Sequence, residues 1–241
     1  MRSYTRHQLK QDDFRETAVE TIDWAVEHRS KLIAGGIALA LILAAVIAAW
    51  AYVNYRDQQA SQQLSSAIEK YSAPIRSAGE PPTPGTISFG SAQERAKSAN
   101  ADFVRIADQY SFTKSGRIAR YFAGVTARDL GDNASAEKQL SQIADGRDKS
   151  IASLAKLALA AIYQDTNQSS KAIDLYKQLM DHPTDSVGKN TAQFQLAELY
   201  QNTNQPQEAR KIYLQLQKDS PTGPVGQIAA QRLQALGPAQ P

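Results

Sequence analysis

From Leu32 to Val53 the chain runs 22 residues without a charged side chain, LIAGGIALALILAAVIAAWAYV. At 1.5 Å rise per residue this is roughly 33 Å of helix, enough to cross a hydrocarbon core of about 30 Å. Lys31 and Arg56 bracket the stretch, where long basic side chains reach lipid headgroups. Trp50, Tyr52 and Tyr55 gather at its far end, where amphipathic rings favour the interface. A helix buried in a soluble core is seldom uncharged over six turns. A cleaved signal peptide is the stronger rival, with Ala49-Trp50-Ala51 resembling a small-residue cleavage site. Against it, the apolar stretch is longer than the usual ~7–15 residues, and about 30 residues precede it. A retained anchor fits better.

Cations set the expected orientation. Arg2, Arg6, Lys10, Arg15, Arg29 and Lys31 precede the span, whereas residues 54–84 carry only Arg56, Lys70 and Arg76. Basic residues are retained on the cytoplasmic side whatever the neighbouring acids, so the N-terminus is expected inside. The rest of the chain is expected outside, in the periplasm if the host is a Gram-negative bacterium. In residues 1–30, Asp12 or Asp13 can cap a short amphipathic helix bearing Phe14, Ala18, Ile22, Ala25 and Val26, with Trp24 and His28 near the membrane. Within the expected transmembrane helix, 31–55, Gly36, Ala40, Ala44 and Ala48 recur every four residues and form a candidate helix-packing face.

Beyond the span the chain repeats itself. Ala136-Glu-Lys-Gln-Leu140-Ser-Gln-Ile143, Ala172-Ile-Asp-Leu-Tyr176-Lys-Gln-Leu179 and Ala209-Arg-Lys-Ile-Tyr213-Leu-Gln-Leu216 share one pattern and begin 36 and 37 residues apart. Leu159-Ala-Ala-Ile-Tyr163 and Leu196-Ala-Glu-Leu-Tyr200 precede the second and third. Turn residues separate each couple: Gly131-Asp132-Asn133, Thr166-Asn167-Gln168 and Thr203-Asn204-Gln205-Pro206. Pro183 and Pro221 close the later two repeats. A small residue lets two helices approach, and large residues four and seven positions later plug the groove. No such pair buries its own apolar stripe, so neighbours must stack.

These residues resemble the tetratricopeptide repeat, with three repeats over 117–222 and the first degenerate, having Ala127 in place of Tyr163 and Tyr200. The fold class expected is all-α: a single N-terminal transmembrane helix followed by a tetratricopeptide-like α-solenoid. Residues 56–116 read as an extended helix over 58–78, the proline-rich loop Gly79–Gly85, and Ala99–Ile106 as the second helix of an earlier degenerate repeat. Residues 223–241 read as a capping helix, Val225 to Leu236, and a tail.

The whole arrangement is similar to the ancillary subunit family of the bacterial SecYEG translocon, which shares its repeat type with a cell-division coordinator. That resemblance implies a membrane-anchored protein-binding module, with translocon subunits, periplasmic chaperones or exported polypeptides as partners. An envelope scaffold for division or wall synthesis is the alternative.

Chemistry-bearing patterns are not found. The formal charge of +3, from 27 Lys+Arg against 24 Asp+Glu, is too small for a nucleic-acid footprint. The absence of cysteine excludes disulfides, thiolate zinc sites and cysteine nucleophiles. His7, His28 and His182 are scattered, and no nucleotide-binding or nucleophile-elbow motif occurs. No catalytic, metal or cofactor residues are expected, nor a small-molecule substrate. Asn133-Ala-Ser135 and Asn167-Gln-Ser169 match the glycosylation pattern, but inter-helix turns are rich in such residues anyway.

What remains is a surface. First helices of successive pairs line the concave side of such arrays, and in this register Tyr121, Arg128, Gln164, Phe194, Gln201 and Asn202 face a candidate peptide groove. Tyr121 and Phe194 fit inter-repeat packing equally well.

Overall fold

The computed structural model describes residues 26–77, 79, 81 and 83–237. The helix expected around Phe14, Ala18, Ile22 and Ala25, together with Trp24, lies outside them. Among the described residues there are nine helices: α1 (Arg29–Ser72), α2 (Ala92–Gln109), α3 (Lys114–Asp129), α4 (Asn133–Ala144), α5 (Lys149–Asp165), α6 (Ser169–Asp181), α7 (Lys189–Asn202), α8 (Pro206–Asp219) and α9 (Pro224–Ala235). β-structure there amounts to one isolated bridge, Ile75 to Phe89. The fold is all-α.

The chain divides into two units that meet between Asn54 and Tyr55. In the first, α1 carries the uncharged stretch and is long and apolar enough to cross a membrane. Its side chains Leu39, Leu41, Ile47 and Trp50 are all exposed, and Gly36 has open space on its Cβ side. An apolar surface this extensive is unusual on a soluble monomer.

The second unit is a series of helix pairs. The part of α1 beyond Tyr55 pairs with α2, then α3 with α4, α5 with α6 and α7 with α8, and α9 closes the series against α8. Local sequence sets each boundary. Ser91, Thr113, Asp132 and Asp148 accept hydrogen bonds from the amides of Glu94, Gly116, Ser135 and Ile151, which caps α2, α3, α4 and α5. Pro206 and Pro224 open α8 and α9, where a missing N–H costs nothing. Two boundaries differ from expectation. α1 stops at Ser72, not near residue 78, because Pro74 disfavours helical backbone at Ala73. α2 starts at Ala92, seven residues before Ala99, because Ser91 supplies the cap.

The turns within the three pairs α3/α4, α5/α6 and α7/α8 share one geometry. Gly131, Asn167 and Asn204 take the left-handed conformation, with φ of 78°, 58° and 57°. The amides of Asp132, Gln168 and Gln205 then reach back to the carbonyls of Ala127, Tyr163 and Tyr200 at 2.9, 2.7 and 2.8 Å. This is the Schellman closure, which only Gly or Asn adopts at little cost.

Small and large residues pack as the repeat pattern requires. Ala136, Ala172 and Ala209 are fully buried, as are Leu140, Tyr176 and Tyr213 four residues later. Among the described residues the core comprises four clusters in sequence order, joined by residues that belong to two neighbours. Ile118 bridges the first and second, Tyr163 and Leu175 the second and third, and Tyr200 and Ile212 the third and fourth.

Candidate protein-binding face

The six groove residues sit on three helices that occupy equivalent places in successive pairs. Tyr121 and Arg128 lie on α3, Gln164 on α5, and Phe194, Gln201 and Asn202 on α7. Arg128, Gln164 and Gln201 hold the same repeat position, yet only Arg128 is exposed.

Gln164 and Gln201 turn toward the interior. The Gln164 amide nitrogen donates to the hydroxyl of Tyr176 at 2.7 Å, and the Tyr213 hydroxyl donates to Gln201 Oε1 at 3.4 Å. Both tyrosines are completely buried, and a buried phenol without a partner is costly. Burial disfavours the phenolate, so both hydroxyls are pushed up to about 12. They act as neutral packing groups at any ordinary pH.

Tyr121 and Phe194 lean on the core. Tyr121 packs against the α3–α5 cluster with its ring edge-on to Phe122 at 5.4 Å, and burial raises its pKa. The ring of Phe194 lies 5.9 Å from that of Tyr213. Arg128 and Asn202 are the exposed members of the set.

Arg128 is held by a neighbour on the next first helix. Its Nε donates to Asp165 Oδ2 at 2.8 Å, in an ion pair about half exposed at both ends. The pattern recurs along the series: Tyr71 donates to Asp129 at 2.6 Å, linking α1 to α3, and Arg232 pairs with Glu198 at 2.8 Å, linking α9 to α7. Asp129, Asp165, Glu198 and Arg232 are therefore part of this surface, although helical periodicity alone did not single them out. The available signal was opposite charge one repeat plus one residue apart, as for Arg128 and Asp165. Exposed pairs of this kind contribute little stability and can exchange for a ligand's charges.

A cleft of about 710 Å³ lies elsewhere, between the α4–α5 and α6–α7 corners, lined by Lys149, Ser153, Lys156, Gln178, His182 and Thr184 among others. Several of its polar groups satisfy one another: Lys156 reaches Asp145 at 3.2 Å and Gln178 at 2.9 Å, and the Ser153 and Thr184 hydroxyls meet at 2.7 Å. Lys156 and Gln164 are two turns apart on α5, roughly 12 Å along the axis, so cleft and face use different ends of that helix. Among the described residues no group of three acidic or histidine side chains is placed to hold a metal ion.

The model of the tetratricopeptide repeat-like domain family matches residues 24–178, more than half of the chain. The chain belongs to that family. The match begins before the apolar stretch and ends within α6, so the family's pattern includes the apolar helix as well as the first helix pairs. No curated protein and no solved structure gives a significant match. Domains of this tetratricopeptide-like type generally serve as protein-interaction modules rather than catalysts.

Proposed function

We propose that the protein is a single-pass component of a bacterial inner membrane whose exported helical array docks proteins during export, linking the translocon to periplasmic chaperones or emerging polypeptides. One observation carries this reading: a tetratricopeptide-like series of helix pairs shares a chain with a helix able to cross a bilayer. The excess of cations before the span supports a cytoplasmic N-terminus. In this reading residues 1–30 are the cytoplasmic segment, 31–55 the span, 56–116 the first, irregular pair, 117–222 the three repeats and 223–241 the cap.

The docking face is the polar row on α3, α5 and α7. Tyr121, Phe194, Gln164 and Gln201 set its floor, while Arg128 and Asn202 offer accessible contacts to a peptide. The Gly36, Ala40, Ala44 and Ala48 stripe, exposed on α1, receives a partner's span.

The test places a photocrosslinking residue at Asn202 of the full-length protein in living cells, with the exposed α6 residue Lys177 as control. Adducts with a translocon subunit or periplasmic chaperone, formed at 202 and not at 177, are expected. Absence of both classes of partner removes the translocon reading. Septal rather than uniform localisation favours the division scaffold instead.

A further inference from the structure

Successive junctions of the array use the same repeat positions but are fastened differently. Where α5 meets the α3/α4 pair, three polar ties cross. Lys156 pairs with Asp145, just past the end of α4, at 3.2 Å; the Tyr163 hydroxyl donates to Glu137 at 2.8 Å; and Arg128 donates to Asp165 at 2.8 Å. The junction before it is tied at the same corner, where Arg120 pairs with Asp108 at 2.9 Å.

At the next junction, where α7 meets the α5/α6 pair, each tie has lost its chemistry. One repeat on, 36 or 37 residues, Lys156 and Asp145 become Gln193 and His182, Tyr163 and Glu137 become Tyr200 and Ile173, and Arg128 and Asp165 become Gln164 and Asn202. Gln193 is only 6% exposed, and its Oε1 has no hydrogen-bond partner. Ile173 offers no acceptor, and Gln164 is spent on Tyr176. Among the described residues, no side-chain hydrogen bond or ion pair joins 149–181 to 189–219. The Ser153 and Thr184 hydroxyls do meet at 2.7 Å, but Thr184 belongs to the connecting loop. α7 also begins after Gly188 without the side-chain cap that Thr113 and Asp148 give α3 and α5.

What holds this junction is apolar. Leu179, Val187 and Leu196 share one cluster with Leu154, Leu157 and Tyr200 leaning on it. Burial of apolar surface is non-directional, so such a contact survives a small rotation of one pair against the other. A hydrogen bond or charged pair fixes direction as well as distance, and the two preceding junctions carry them. Small sliding of packed helices is a common form of domain motion.

We infer that the array bends at the junction between the α5/α6 and α7/α8 pairs, the pairs up to α6 moving as one body and α7 to α9 as another. Bending there changes the spacing of Gln164 and Asn202 along the polar row, so the row adjusts its curvature at one defined place. The inference concerns the array alone and stands or falls independently of the translocon reading.

The natural chain has no cysteine, so paired cysteines give unique spin labels. Ser141, Lys177 and Leu214 are exposed at equivalent places on α4, α6 and α8. Full-length protein in detergent, labelled as S141C/K177C or K177C/L214C, is measured by double electron–electron resonance. The 177/214 distance distribution is expected to be about twofold broader than the 141/177 one, as for a hinge beside a rigid joint. Restoring a tie should narrow 177/214 and leave 141/177 unchanged, either by Gln193→Lys with His182→Asp or by Ile173→Glu, which gives the Tyr200 hydroxyl an acceptor. Thermal melts check that both variants fold. Conversely, Glu137→Ile with Lys156→Gln should broaden 141/177. Equal widths in the natural sequence overturn the inference, as does a 177/214 distribution that stays broad in both folded variants.

Discussion

The α5/α6 and α7/α8 pairs solve their shared packing problem with different side chains from α3/α4. In the later two, a buried tyrosine, Tyr176 or Tyr213, plugs the groove, and a glutamine from the first helix, Gln164 or Gln201, satisfies its hydroxyl. In α3/α4 the plug is Leu140, which needs no polar partner. The equivalent of the glutamine is Arg128, which points out to Asp165. The small residue changes too: Ala160 and Ala197 correspond to Gly124, where a Cβ would sit 2.5 Å from Leu140 Cγ. One backbone geometry therefore accepts two co-adapted sets of residues. Exchanging one member without its companions should reveal the coupling.

The largest effect is expected at the plug. Tyr176→Ala should destabilise the array by about 3–5 kcal/mol, as for other large aromatic truncations, read as the loss in a thermal melt of the full-length protein in detergent. Gly124→Ala comes next, at about 1–3 kcal/mol from overpacking. In a Leu140→Ala background that penalty should largely vanish, and a double-mutant cycle showing no coupling would refute the pairing of these residues. At the shared turns, Asn167→Ala and Gly131→Ala should each cost about 1–2 kcal/mol because both positions are left-handed. Asn167→Gly should be nearly neutral, and this prediction treats all repeats alike.

Alkaline titration separates the two kinds of repeat. The Tyr176 and Tyr213 hydroxyls are pushed up to about 12, chiefly by burial, whereas an unfolded tyrosine titrates near 10. Their contribution is fully present below about pH 10 and is lost as pH rises toward 12, since the unfolded chain releases its protons first. Tyr176→Phe should blunt this loss, and Leu140→Phe, in the pair that lacks a buried plug phenol, should leave it unchanged. The smallest effect belongs to Arg128→Ala, below about 1 kcal/mol and weakened further by salt, because its ion pair is about half exposed.

The repeats were legible because they rest on spacing. Ala136, Ala172 and Ala209 announce themselves by period, and Asn167 and Asn204 by turn chemistry. Direction was harder to read. Helical periodicity placed Gln164 and Gln201 on an outer face, but a long polar side chain can bend back to a buried hydroxyl, and nothing in the spacing says that it will. Arg120 illustrates the same gap: only 8% exposed, it is satisfied by the Ala107 carbonyl, Asp108 and Gln139, partners supplied by two other helical segments. The bond from Ser115 to Asp57 joins residues 58 positions apart. Such contacts depend on how pairs stack, which a single periodic pattern does not contain.

The core of the array is a string of small clusters, each tied to the next by one or two bridging side chains. Such a string has no single breaking point. Pulled from α9, it should yield link by link, with α9 and the Tyr213 cluster opening before Tyr176 and before the first cluster, where the rings of Phe103 and Phe122 stack 5.1 Å apart. Between those steps it should behave as a soft spring, lengthening in stages under a steady load.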